Sequence, residues 1–169
     1  MAKSGVTMKK DDVDAILKQI RMLTKQEVLI GVPDENAGRQ PEQGEKQEPI
    51  SNAEIGYLME FGLPEKNIPA RPFLVPGVEN AKDKIGKRLE VGARKALTGD
   101  KDAVDIAFNG AGLVAQNAVR AKITDGPFKE LSEKTLAARK RRGRTGEKPL
   151  IDTGQLRNSV TYVIRPKGK

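Results

Sequence analysis

Three short stretches carry residue types and spacings that could do chemistry. Asp152-Thr153-Gly154, after Leu150-Ile151, has the form of the triplet in which two carboxylates, one from each of two subunits, share a proton and activate water. Such a fold needs a long run of strands after the triplet, and 15 residues follow it here. The stretch better suits a helix cap, with Asp152 or Thr153 accepting backbone N–H groups and Gln155 closing the box. Gly110-Ala111-Gly112-Leu113-Val114-Ala115 has the spacing of a phosphate-cradling loop, but helical periodicity runs straight through it and the glycines suit packing notches. Thr145-Gly146-Glu147-Lys148-Pro149 copies a linker between zinc fingers in a chain with neither Cys nor His.

The remaining candidate is a basic cluster of Arg139, Lys140, Arg141, Arg142 and Arg144. Residues 1–119 hold 17 Lys and Arg against 18 Asp and Glu, whereas residues 120–169 hold 14 against 5. The net charge of +8 therefore comes from the last fifty residues, a basic appendage on a near-neutral body. No aromatic side chain interleaves the cluster, so contact with DNA would be nonspecific and electrostatic. An acidic protein surface is the other partner such charge suits, and a solvated loop is the plain alternative.

Composition narrows the class further. Without Cys or His the chain has no disulfide, no thiolate, none of the usual zinc ligands and no side chain that titrates unperturbed near neutrality. We expect no catalytic residues, no cofactor, no bound metal and no enzymatic activity. No apolar run approaches the length that crosses a bilayer, and Met1 to Lys10 lacks the apolar segment of a secretion signal, so a soluble protein made in the cytoplasm is expected. With 4% aromatic residues the core must be aliphatic and modest, and neighbouring subunits would help complete it.

The elements follow from periodicity. Val13, Ile16, Leu17, Ile20 and Leu23 predict an amphipathic helix capped by Asp11 or Asp12, and Val28, Ile30 and Val32 predict a strand ended by Pro33. Residues 34–50 are almost wholly polar and suit a mobile loop. Ser51-Asn52-Ala53-Glu54 forms a capping box for a helix that Gly62 stops. Pro69, Pro72 and Pro76 should keep the next stretch extended and exclude helix. Val78 to Leu97 and Val104 to Val119 keep the helical period on either side of Gly99 and Asp100, the latter a cap for the second helix. They should pack as an antiparallel hairpin, with Gly92, Ala93, Gly110, Ala111 and Gly112 allowing close approach. After a break at residues 124–127, Ser132 caps a short helix to Arg142, and a final strand over Val160 to Ile164 pairs with the first. The expected fold is α+β in one domain over residues 1–169: a small antiparallel sheet on a long antiparallel helical hairpin, with extended loops at 34–50 and a basic arm over 124–150.

Tyr57-Leu58-Met59-Glu60-Phe61-Gly62, Ile68-Pro69-Ala70-Arg71-Pro72-Phe73-Leu74 and Leu150-Ile151-Asp152-Thr153-Gly154-Gln155-Leu156-Arg157-Asn158-Ser159, in that order, resemble the tail-completion and virion-morphogenesis family of long-tailed bacteriophages, the family of lambda minor tail protein Z. The resemblance covers most of the chain, and residues 34–50 are its main departure. It implies a structural protein of the virion at the head-proximal end of the tail, in tail completion or head–tail joining. It further implies a homo-oligomeric, commonly hexameric, ring in contact with neck or connector proteins, with tail terminator or tube proteins, and with genomic DNA in the lumen. Glu60, Arg71, Phe73, Asp152 and Thr153 are then structural, with Phe73 and Leu74 anchoring to the hairpin and Arg71 pairing with a carboxylate, Glu60 first. A nonspecific DNA-binding protein acting through its basic C-terminal region is the alternative.

Overall fold

Apolar residues three and four apart from Val13 to Leu23 wind the chain into α1 (Lys10–Lys25), which runs directly into β1 (Gln26–Gly31). The computed structural model describes residues 10–41 and 49–168, with side chains from Val13 onward. Helix α1 includes Asp11 and Asp12, whose side chains, expected to cap it, lie outside those described, as do residues 42–48 of the expected loop at 34–50. Within that loop, Asp34–Ala37 forms a helical turn, α2, so the segment is not wholly irregular as expected.

Helix α3 (Asn52–Phe61) starts at the anticipated box: the Ser51 hydroxyl accepts from the Glu54 N–H, and the Glu54 carboxylate accepts from the Ser51 N–H at 2.8 Å. Gly62, at φ +76°, turns the chain out of it. A side chain there would lie 2.7 Å from the Ala70 nitrogen, so this position requires glycine for space as well as for conformation.

Two long helices, α4 (Leu74–Leu97) and α5 (Ala103–Asp125), pack along each other as the predicted antiparallel hairpin. Helix α4 corrects one expectation, because it begins before Pro76 and carries that proline in its first turn. The N–H groups of a first turn have no partner within the helix, so the missing proline donor costs nothing there. Asp100 does not cap α5 either. Its carboxylate accepts from the Asp102 N–H at 3.1 Å, and the helix starts at Ala103.

Beyond the hairpin come α6 (Glu133–Arg141), capped by Ser132, the turn of helix α7 (Gln155–Ser159), and β2 (Thr161–Pro166). The two strands pair antiparallel with Val28 opposite Ile164 and Ile30 opposite Tyr162. They lie against α5, where Tyr162 donates to Asn109 and Thr161 donates to Gln116. The α+β architecture is the expected one: a two-stranded antiparallel sheet on a long helical pair.

The core has two parts. Phe73, Val119, Ile123, Leu150, Leu156 and Val160 form one, with Ile30, Val32, Ile55 and Met59 packed around them. Ala96, Ala103, Val104 and Phe108 form the other beneath α1 and the sheet, meeting Met22, Leu23, Val28 and Ile164. Small residues set the hairpin's spacing, but not all of those expected to. A Cβ on Gly92 would fall 2.2 Å from that of Ala107, whereas one on Gly110 would meet nothing nearer than the Arg88 Cδ at 3.6 Å. Gly112 is a notch for the Tyr162 ring of the sheet and not for the partner helix.

Candidate functional site

The segments that carry the family resemblance lie far apart in sequence and meet at one end of the hairpin. Glu60 is the last acidic residue of α3, and its buried carboxylate accepts from the N–H groups of Phe73 at 2.7 Å, Leu74 at 2.8 Å and Val75 at 3.1 Å. A remote carboxylate thereby caps α4, supplying negative charge at the positive end of the helix. Helix α5 is treated in the same way. The buried Gln19 side chain, reaching from α1, accepts from the Val104 N–H and donates to the Lys101 carbonyl. Neither long helix has a side-chain cap from its own leading residues.

Arg71 does not pair with Glu60, which corrects the expected ion pair. Its guanidinium, also buried, donates to the main-chain carbonyls of Lys129 at 2.9 Å and Glu130 at 3.1 Å, while its own N–H donates to the Met59 carbonyl. The Glu60 carboxylate faces the three N–H groups of the helix start, and the arginine turns instead to the irregular stretch before α6. Burial, and after it the positive charge of Arg139, lower the Arg71 pKa from its ordinary value.

Asp152 is not a helix cap. The residue preceding α7 is Gly154, at φ +80°, and no side chain caps that turn, although the Thr153 hydroxyl accepts from the Gln155 N–H at 3.4 Å. Asp152 instead holds two guanidiniums: Oδ2 accepts from Arg144 at 2.8 Å, and Oδ1 lies 3.3 Å from the Arg139 Nε, an ion pair not aligned as a hydrogen bond. Arg139 is buried and also donates to the carbonyls of Gly146 and Lys148. Lys148 in turn donates to Thr124 and Asp125 at the end of α5.

These contacts divide the basic cluster. Arg139, buried, and Arg144, partly buried, tie residues 142–150 back onto α6, and neither is the fully exposed side chain expected. Lys140, Arg141 and Arg142 remain exposed, with the Arg142 Nε donating to the Ala138 carbonyl. The arm over 124–150 is therefore a capped helix and a tied-down loop in its greater part.

Arg71, Arg139, Arg142 and Asp152 line an open cleft of about 760 Å³ between α6 and the turn at Ile68–Pro69. Its charge is predominantly cationic. Among the described residues no three His, Cys, Asp or Glu side chains are grouped to hold a metal ion, and no helix is long and apolar enough to cross a membrane. The glycines of Gly110-Ala111-Gly112 lie inside α5, with its helical backbone continuous around them.

Sequence reasoning missed Arg120. From the last third of α5 it donates to the carbonyls of Val160 and Asn158, fastening α7 and the residue before β2 to the hairpin. Its signal was the one arginine of α5, set with Gln116, Asn117 and Lys122 among apolar residues. Gln19 and Gln116 gave a comparable signal, as polar residues on faces otherwise built for the core. Comparison with protein-family models, curated proteins and solved structures finds no match to this chain.

Proposed function

We propose that this chain is a structural subunit at the head-proximal end of a bacteriophage tail, acting in tail completion or head–tail joining as one member of a ring. One observation carries the reading beyond motif order. The three segments of the resemblance form a single packed unit, in which Glu60 caps the helix that Phe73 begins and Phe73 and Leu156 share a core. A Cβ on Gly56 of α3 would contact both the Leu156 and Phe73 side chains, at 3.5 and 3.7 Å. Residues this distant in sequence are therefore held together by geometry, as expected of a motif set that defines a fold and not a reaction site.

The geometry of the basic residues is consistent with a structural role. Their charges either tie the chain together, as Arg139 and Arg144 do, or stand exposed on α6, as Lys140 and Arg141 do. The exposed set favours a second reading, nonspecific contact with DNA, which a ring around a DNA path would also use. Native mass measurement of the purified protein and imaging of labelled virions test the proposal. A closed oligomer, or label at the neck, is expected; a strict monomer absent from mature particles would overturn it.

A further inference from the structure

The outer face of the helical hairpin exposes large apolar side chains among its charges. Val91 on α4 and Ile106 on α5 are 53% and 65% exposed, and they flank a groove of about 530 Å³ whose floor includes Gly92 and Ala107. This face is turned away from the sheet, since Leu89, two residues before Val91, packs into the core beneath α1. Lys84, Lys87, Arg88 and Lys95 line its α4 side, with Asp100 at the hairpin turn the one carboxylate among its lining residues. An occupant must therefore combine apolar side chains with carboxylates.

The chain presents such a surface itself. Tyr57 and Phe61, 67% and 64% exposed, lie side by side on the outer face of α3 with ring centroids 4.8 Å apart and planes tilted by 52°. Glu54 precedes Tyr57 by one turn on the same face and is exposed, as are Asp34 and Glu35 on α2, which packs on α3. Two large exposed aromatic side chains side by side are the kind of anchor that dominates protein interfaces. The sequence outside the described residues offers no equivalent: residues 1–9 carry Lys3 and Lys9 and no carboxylate, and residues 42–48 contain no apolar side chain.

We propose that Tyr57 and Phe61 of one copy seat in the Val91–Ile106 groove of the next, with Glu54 facing the Lys84, Lys87 and Arg88 rim. The two surfaces lie on different elements, so the contact is heterologous and passes head to tail from copy to copy. A contact of that kind closes a ring when its rotation permits and otherwise extends a filament. The inference rests on the ring proposed above and names the surfaces that build it.

The natural absence of cysteine makes the test direct. Tyr57→Cys and Ile106→Cys are made as separate single-cysteine proteins, mixed in equal amounts and treated with a short bifunctional thiol reagent. A cross-linked heterodimer is expected, at least tenfold more abundant than with either variant alone or with Tyr57→Cys mixed with Lys134→Cys on α6. In parallel, Phe61→Lys and Ile106→Glu should each lose self-association by sedimentation with unchanged circular dichroism. Their mixture should form a one-to-one heterodimer and nothing larger, because each variant keeps one intact surface. Rings that persist in both charged variants, or cross-links no greater than the Lys134→Cys control, would overturn this interface while leaving the ring reading intact. Cross-linking of Ile106→Cys in virions to a different protein would give the groove to a neighbouring ring and overturn the self-contact. A wild-type protein that is monomeric at every concentration and in particles would remove the ring itself.

Discussion

Glu60 and Pro76 divide the start of α4 between them. The Glu60 carboxylate accepts from the N–H groups of Phe73, Leu74 and Val75, Pro76 has no N–H to satisfy, and Gly77 opens the helical ladder by donating to the Phe73 carbonyl at 3.1 Å. Every backbone donor at that helix end is thus accounted for.

Glu60→Ala should therefore cost about 2–3 kcal/mol, since it strands the buried Phe73 N–H and the part-buried N–H groups of Leu74 and Val75 and removes a charge from the positive end of a helix. Glu60→Gln, which keeps one acceptor oxygen, should lose less. Pro76→Ala should stay within about 1 kcal/mol of wild type. Denaturant melts of the three variants check the order, and a Glu60→Ala protein as stable as wild type would refute the cap.

Gly92 and Gly110 should respond to alanine with opposite signs. At Gly92 the new methyl would strike Ala107 in the facing helix, an overpacking that typically costs about 1–3 kcal/mol. Gly110 has room, so Gly110→Ala should be neutral or stabilise by up to about 1 kcal/mol through helix propensity. Thermal melts of both variants decide the matter.

Removing the Asp152 carboxylate should take from Arg139, buried beside Arg71, a negative charge 3.3 Å from its Nε. With the Asp152 side chain 27% exposed, Asp152→Ala is expected to cost about 1–2 kcal/mol, below the range for a fully buried pair. Asp152→Asn should be nearly as harmful, because the charge matters here and a capping acceptor does not. A double-mutant cycle with Arg144→Gln should show coupling between the two positions, and strict additivity would count against the clamp.

The basic residues should separate by function. Lys140→Gln with Arg141→Gln should leave stability within about 0.5 kcal/mol of wild type while lowering the salt dependence of any duplex binding by roughly one unit of slope per cation. Arg139→Gln should instead destabilise the fold. Binding titrated across salt concentrations, set beside melts of the same proteins, distinguishes the two groups.

The capping box at α3 sets a pH dependence. Hydrogen bonds from the Ser51 N–H and hydroxyl hold the Glu54 carboxyl below its ordinary pKa. A folded pKa below the unfolded one makes the contribution fully present above the ordinary glutamate range and progressively lost as pH falls through the folded value. Ser51→Ala should raise the Glu54 pKa toward its ordinary value in a carboxyl NMR titration, and an unshifted resonance would contradict the assignment.

What the sequence by itself determined is local or periodic. The Ser51–Glu54 box, the stop at Gly62, the Ser132 cap and the two hairpin helices follow from neighbours within a few residues, where short-range hydrogen bonding and apolar spacing decide. The antiparallel pairing of β1 with β2 was legible too, because alternation in each strand leaves few registers that bury one face. Tertiary structure decided the partners of the polar residues. Nothing near Glu60 in sequence says that it caps a helix beginning fourteen residues on, nor that Arg71 takes carbonyls of Lys129 and Glu130, nor that Asp152 holds Arg139 and Arg144. A buried charge takes the donors or acceptors that packing brings to it, and packing is a property of the whole chain. The same cause divides Arg139 and Arg144 from Lys140 and Arg141: their charges are alike in sequence, but only the fold determines which are exposed.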